Sequence, residues 1–296
     1  MVITVNATLT LIQIGALVSI FAYMFSRGLG TRIGDLGYFD TRPGLLLRSL
    51  FSVDVLVPLI ALAAIFLVGP SKATMAALLL LASSPAAPLV LKKIAKSGGR
   101  AEYAVSLHLV LASLAIVTTP VTLDLLSGAT GFHLGVSPLD VAERVGLSIL
   151  LPIVAGIAVR RLFPALAERI IRPLEALSNV ILILVFVVVL AFTYRIFIMP
   201  DIRSFVAIVL MIVGALVAGH FMASGLPEEQ TTLALESSTR NIGLALLIAS
   251  DYAPLEQALP VLLPYIITTV IIGFIYIRYR KMGRSAPDHS RSGSLR

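Results

Sequence analysis

The sequence predicts an all-α polytopic membrane protein of about nine transmembrane helices, two of them broken and related as halves of an inverted repeat. Three observations carry this. Of 296 residues, 58% are hydrophobic and only 13% charged, with a mean hydropathy of +0.98, whereas soluble domains carry about 25% charged residues. Apolar stretches of about 20 residues recur along the whole chain, each enough to cross about 30 Å of hydrocarbon. Two of these stretches are interrupted, and they run in opposite directions.

In order, the spans read as residues 3–26, 44–69, 72–96, 101–126, 139–162, 171–196, 202–224, 229–251 and 256–279. The first apolar stretch has no basic segment before it and no small-x-small cleavage pattern after it, so it is read as a retained helix. The polar, Ser-rich segment 285–296 is expected to be a disordered tail. Lys and Arg set the orientation. With the N-terminus outside, seventeen fall in inside connections, and only Lys72, Arg195 and Arg203 fall outside. That split predicts a multi-pass protein of the cell membrane, N-terminus external and C-terminus cytoplasmic. It also accounts for the net charge of +7 without a nucleic-acid partner. The partners expected are the bilayer and a small solute.

The third span contains "ASSPAAPLV", in which Ser84 precedes Pro85 and Pro88. Proline removes a backbone donor and clashes with the preceding turn, so these residues either kink a packed helix or break it. The eighth span contains "LALESSTRNIGLALLIAS": Glu236 and Arg240 lie inside it, with Thr239 and Asn241 beside them and Gly243 two residues on. A charge at mid-membrane costs at least about 2.5–3.5 kcal/mol on insertion scales. Glu236 and Arg240 are four apart, so they either neutralise each other to lock helices together or line a polar cavity. Ala82-Ser83-Ser84 aligns with Glu236-Ser237-Ser238, and the two spans are five apart. Interrupted helices in corresponding positions of two halves point to a transporter's binding site.

Asp54 lies about ten residues into the second span, and Arg240 is the one basic residue expected at its depth. Arg240 is therefore expected to bridge Glu236 and Asp54, leaving neither carboxylate buried alone. His108 lies a turn or two toward the cytoplasm and reads either as a hydrogen-bonded packing residue or as a titrating switch. There is no cysteine, which excludes disulfides and thiolate sites. No P-loop, nucleophile–base set or His/Glu cluster with metal-ligand spacing occurs. An enzyme is not expected, and no cofactor or resident metal is implied.

"LPEEQTTLALESSTRNIGLALLIAS" resembles the bile acid:sodium symporter family, in which an acidic–basic loop leads into a broken helix. "ASSPAAPLV" resembles that family's other break, and "RPGLLLRSLFSVDVLVPLIAL" the helix before it, with Pro58 at the family's proline. The resemblance implies two broken helices that cross at mid-membrane. It implies a panel domain (1–43 and 127–199) and a core domain (44–126 and 200–284), with organic anions moved by alternating access together with sodium. Glu236 matches the family's glutamate for both sodium ions, and Asn241 the asparagine beside the crossover. Arg240 stands where the family has a glutamine ligand, Val90 and Leu91 where it has Ser-Asn, His108 where it has a threonine, and Val53 where it has another glutamine. The resemblance thus implies a secondary transporter of a small organic anion or amphipathic solute, not sodium-coupled in the usual way, with sodium or a proton as the candidate coupling ion. A ligand-binding membrane sensor and a proton-coupled exporter or cation exchanger are the other readings.

Overall fold

The computed structural model describes residues 2–31, 37–87, 89–132, 137–197, 201–223, 225–252 and 255–284. These are helical almost throughout: α1 (Val2–Gly30), α2 (Pro43–Leu50), a π-helical segment (Phe51–Leu56), α3 (Val57–Val68), α4 (Lys72–Ser83), α5 (Val90–Lys96), α6 (Ala101–Thr130), α7 (Pro138–Val145), a second π segment (Gly146–Leu150), α8 (Leu151–Leu162), α9 (Pro164–Phe197), α10 (Ile202–Met222), α11 (Pro227–Ser238), α12 (Ile242–Tyr252) and α13 (Leu255–Arg284). Among the described residues, five continuous helical stretches are long and apolar enough to cross a membrane: Pro43–Val68, Ala101–Thr130, Pro138–Leu162, Ile202–Met222 and Val261–Met282. The fold is that of an all-α polytopic membrane protein. The expected tail, 285–296, and Pro88 lie outside the described residues.

Prolines and short polar side chains set the helix ends. Pro43, Pro138 and Pro227 occupy first-turn positions, where the missing N–H costs nothing. Ser71 caps α4 by accepting from the Thr74 amide at 3.3 Å, and Asp201 caps α10 through the Arg203 amide. Gly69 and Gly131 close α3 and α6 at φ of 61° and 65°, a left-handed end that glycine adopts without penalty. The two π segments each stop two residues before a proline, Pro58 and Pro152. A wider i→i+5 turn relieves the clash between the proline ring and the carbonyl four residues back.

Close backbone approach fixes two of the helix pairs. A Cβ on Gly28 would lie 2.2 Å from the Ile153 carbonyl oxygen, and one on Gly156 would lie 2.3 Å from that of Phe25, which locks α1 on α8. A Cβ on Gly219 would lie 2.5 Å from the Leu233 oxygen, which seats α10 on α11. Helix α1 also packs along α9, joined by reciprocal bonds from Ser19 Oγ to the Ser178 carbonyl (2.9 Å) and from Ser178 Oγ to the Ser19 carbonyl (2.7 Å). Helix α4 is enclosed by α3, α6, α12 and α13, and its residues from Ala76 to Ser83 are buried.

Candidate functional site

The two broken helices meet end to end. Helix α4 stops at Ser83 and α11 at Ser238, and the extended residues after each stop pair as an antiparallel bridge between Ala86 and Arg240. The Ala87 amide donates to the Thr239 carbonyl at 2.8 Å, and the Asn241 amide to the Pro85 carbonyl at 2.9 Å. These bonds satisfy backbone groups that lipid could not. Asn241 then caps α12, its Oδ1 accepting from the Leu244 amide at 3.1 Å. Ser84 turns back on its own helix and donates to the Leu80 carbonyl at 2.7 Å. Among the described residues the Thr239 hydroxyl has no partner. Gly243, expected at the break, instead lies in the first turn of α12. There a Cβ would sit 2.8 Å from Ile20 Cδ1, so its smallness serves the approach of α1.

Arg240 is 1% exposed. Its guanidinium donates through Nε to the Leu81 carbonyl (3.1 Å), through Nη2 to that of Ala82 (2.7 Å) and through Nη1 to that of Val53 (3.3 Å). Each acceptor has lost its ordinary helical bond, although the Leu81 carbonyl still accepts from the Ser84 amide at 3.2 Å. Pro85, four residues after Leu81, has no N–H to give it; Ala82 lies in the last turn of α4; and Val53 lies five residues before Pro58, at π spacing, where again there is no N–H. The guanidinium therefore caps the carbonyl end of α4, where a positive charge is favoured. The Arg240 amide donates to Tyr265 Oη, which itself donates to the Ser238 carbonyl, both at 3.1 Å.

This corrects the expected bridge between Glu236 and Asp54. Each nitrogen of the guanidinium donates to a carbonyl, and among the described residues it forms no ion pair with either carboxylate. Asp54 lies half-buried in the first π segment. Glu236 is fully buried, and its nearest titratable partner is His108, with Nδ1 3.7 Å from Oε2. Among the described residues neither carboxylate oxygen and neither imidazole nitrogen has a hydrogen-bond partner. Buried polar groups without a partner call for an explanation, and this pair makes Glu236 and His108 candidates for a site.

Two cavities flank the crossing. One, of about 310 Å³, lies between α1 and α9 on one side and α12 and α13 on the other; its wall is apolar apart from Ser19, Tyr23, Ser178 and Asn241. The second, of about 240 Å³, extends from Thr31 and Glu102 past Ser26 and Arg27 to His108. Tyr23 and Ser26 place the two about one turn apart along α1.

Sequence reasoning missed Tyr265, which no local pattern singles out, and a cluster at the start of α11. There Glu229, buried, accepts from Arg42 Nη1 at 2.8 Å and from Tyr38 Oη at 2.6 Å, while Tyr38 stacks on Tyr103. Burial and the Glu229 carboxylate push the Tyr38 hydroxyl up from 10.0 to about 12. The "EE" in "LPEEQ" and the distant "YFDTRP" carry the residues, but 187 positions separate Arg42 from Glu229 and no local pattern joins them.

A polytopic helical bundle with two broken helices paired at their breaks, flanked by cavities, defines a membrane protein of the transporter class. Residues 17–200, more than half of the chain, match the model of the Sodium Bile acid symporter family, and the chain belongs to that family. The match ends before the second broken helix, so Glu236, Arg240 and Asn241 lie beyond it. No curated protein matches the chain. The family's members are transporters rather than enzymes.

Proposed function

We propose that this protein is a secondary transporter that carries a small amphipathic solute with an anionic group, by alternating access, through the cavity beside the helix crossing. The observation that supports this most is the 310 Å³ cavity. Its volume is at the lower end of small-molecule sites, and an apolar wall with a few polar groups is the usual make-up of such sites. The apolar wall suits a hydrocarbon body. The N-terminus of α12, reached at Asn241, suits an anionic group.

On this reading the panel domain comprises residues 1–43 and 127–199 and the core domain 44–126 and 200–284, and the two rock against each other. The cavities on either side of the crossing are stations on one route. The N-terminus faces outward and the C-terminus the cytoplasm, which reporter fusions at each end would test. Glu236, Arg240, Asn241, Asp54, His108, Thr239 and Ser84 are the proposed binding region. Sodium coupling of the family's usual kind is not part of the reading.

The test is a thermal-shift screen of amphipathic carboxylates on purified protein, followed by uptake of each hit into proteoliposomes. Saturable uptake that is blocked by filling the cavity with Ser19→Phe supports transport. Binding without flux would make the protein a membrane sensor instead.

A further inference from the structure

We infer that Arg240 is a tethered cation standing where a coupling ion would sit at the crossing of the broken helices, so that solute binding and transport do not draw on a sodium gradient. The inference rests on the transporter reading above and names its coupling.

Three carbonyl oxygens, from Val53, Leu81 and Ala82, converge on one guanidinium from two separate elements, and each lacks its ordinary helical donor because of a proline or a helix end, Leu81 keeping one bond from the Ser84 amide. A hard metal cation requires converging oxygens of this sort. Here a guanidinium already takes all three. It is 1% exposed, and its backbone is pinned by Tyr265 and by the bridge to Ala86. Arginine stays protonated in proteins, so the positive charge is permanent. An ion couples transport to its gradient by binding on one face and leaving on the other, and a cation joined to the chain does neither.

The remaining residues do not fit sodium well. Val90 and Leu91 at the start of α5 are buried aliphatics, in a hydrophobic cluster with Tyr103 and Leu233. They supply no side-chain oxygen. Glu236 has two unpartnered oxygens, but Arg240 is near enough to act on that carboxylate. A second cation there would meet a like charge among fully buried groups, where screening is weak.

The experiment measures thermal stability and radiolabelled sodium binding for the unliganded full chain, in sodium and in potassium. These readouts need no solute, so they stand even where the transport reading fails. The unmodified protein and Arg240→Lys are expected to melt at the same temperature in both salts and to bind no sodium saturably. Arg240→Gln, which exchanges the fixed charge for a neutral side chain with an acceptor oxygen, is expected to gain a sodium-specific upward shift. Saturable sodium binding or sodium-specific stabilisation in the unmodified protein overturns the inference. So does a folded Arg240→Gln protein with no sodium response. Should that variant fail to fold, sodium binding by the unmodified protein decides alone: none supports the inference, and saturable binding overturns it.

Discussion

The two broken helices stop for different reasons. The first break is written into covalent geometry: Pro85 removes the N–H that would continue α4, and Ser84 at φ −77°, ψ 146° already takes an extended path. The second has no proline. Thr239, Arg240 and Asn241 are all compatible with a helix, and α11 ends at Ser238 because tertiary contacts compete for its backbone. Tyr265 takes the Arg240 amide and donates to the Ser238 carbonyl, the first break pairs with residues 239 and 241, and Asn241 caps α12. One break is local and the other conditional. The condition is met by Tyr265, the paired backbone and the Asn241 cap, and the Arg240 side chain in turn repairs the carbonyls exposed by the first break.

The comparison breaks most readily at Arg240. Arg240→Ala leaves the buried carbonyls of Val53 and Ala82 without the guanidinium and that of Leu81 with the Ser84 amide alone; at about 1–3 kcal/mol for each unsatisfied group, a loss on the order of 2–5 kcal/mol is expected in denaturant unfolding in detergent. Amide exchange should rise around the end of α4, 79–87, more than around 239–245, since the side chain bonds the carbonyls of Leu81 and Ala82 whereas the second break is held through the Arg240 amide and its neighbours. Equal loosening of both segments would show that the breaks are not distinct in origin. Gly219→Ala comes next. Its Cβ would meet the Leu233 oxygen at 2.5 Å and Ala234 Cα at 2.7 Å, backbone that cannot rotate away. Overpacking of this kind costs about 1–3 kcal/mol and displaces α11 one turn before Glu236. A melting temperature unchanged by this substitution would sink the claim that α10 sets the position of α11. Pro85→Ala is expected to cost only about 1 kcal/mol or less, because the Ala87–Thr239 and Asn241–Pro85 backbone bonds do not need the ring. A larger loss would mean that the proline, not the bridge, holds the first break open.

What could be read from the sequence obeys the same division. Pro85 announces its break, and Glu236, Arg240 and Asn241 announce theirs because charges inside an apolar span need a reason. The destination of Arg240 was not legible in side-chain terms. Its acceptors are carbonyls, which every residue carries, and only their placement by the fold singles out Val53, Leu81 and Ala82. A signal existed all the same: Pro58 and Pro85 strip bonding from the carbonyls five and four residues before them, and a lone intramembrane arginine is a ready donor. Glu236 and His108 were each visible as buried titratable residues. Their closeness, 3.7 Å across 128 positions of chain, belongs to the packing of α11 on α6 and leaves no periodic trace. The fold was the more legible part, since span length and basic-residue bias are bulk properties that no single contact decides.

The smallest effect tests how each broken helix is anchored at its far end. Helix α4 begins at Ser71, whose hydroxyl caps it, and Thr74 bonds Ser204 of α10 at 2.6 Å; neither bond involves a group that titrates. Helix α11 begins with Glu229 held by Arg42 and Tyr38, and Tyr38 does titrate. Tyr38→Phe removes the hydroxyl's bond to Glu229 and the one it accepts from Arg42, and leaves the Arg42–Glu229 pair in place. At a hydroxyl that is partly exposed, a loss of about 0.5–1 kcal/mol is expected. The pH dependence has a definite sign. The folded protein holds the Tyr38 proton up to about 12, above the ordinary 10.0, so the unfolded chain releases it first as the pH climbs. The stabilisation is therefore complete below pH 10.0 and is lost between 10.0 and about 12. Other tyrosines titrate in the same interval, so the quantity to track is the difference in melting temperature between the unmodified protein and Tyr38→Phe. That difference should be constant below pH 10.0 and shrink above it. A difference that grows with alkalinity would mean that Tyr38 is held as phenolate, and α11 would then be anchored by Arg42 alone.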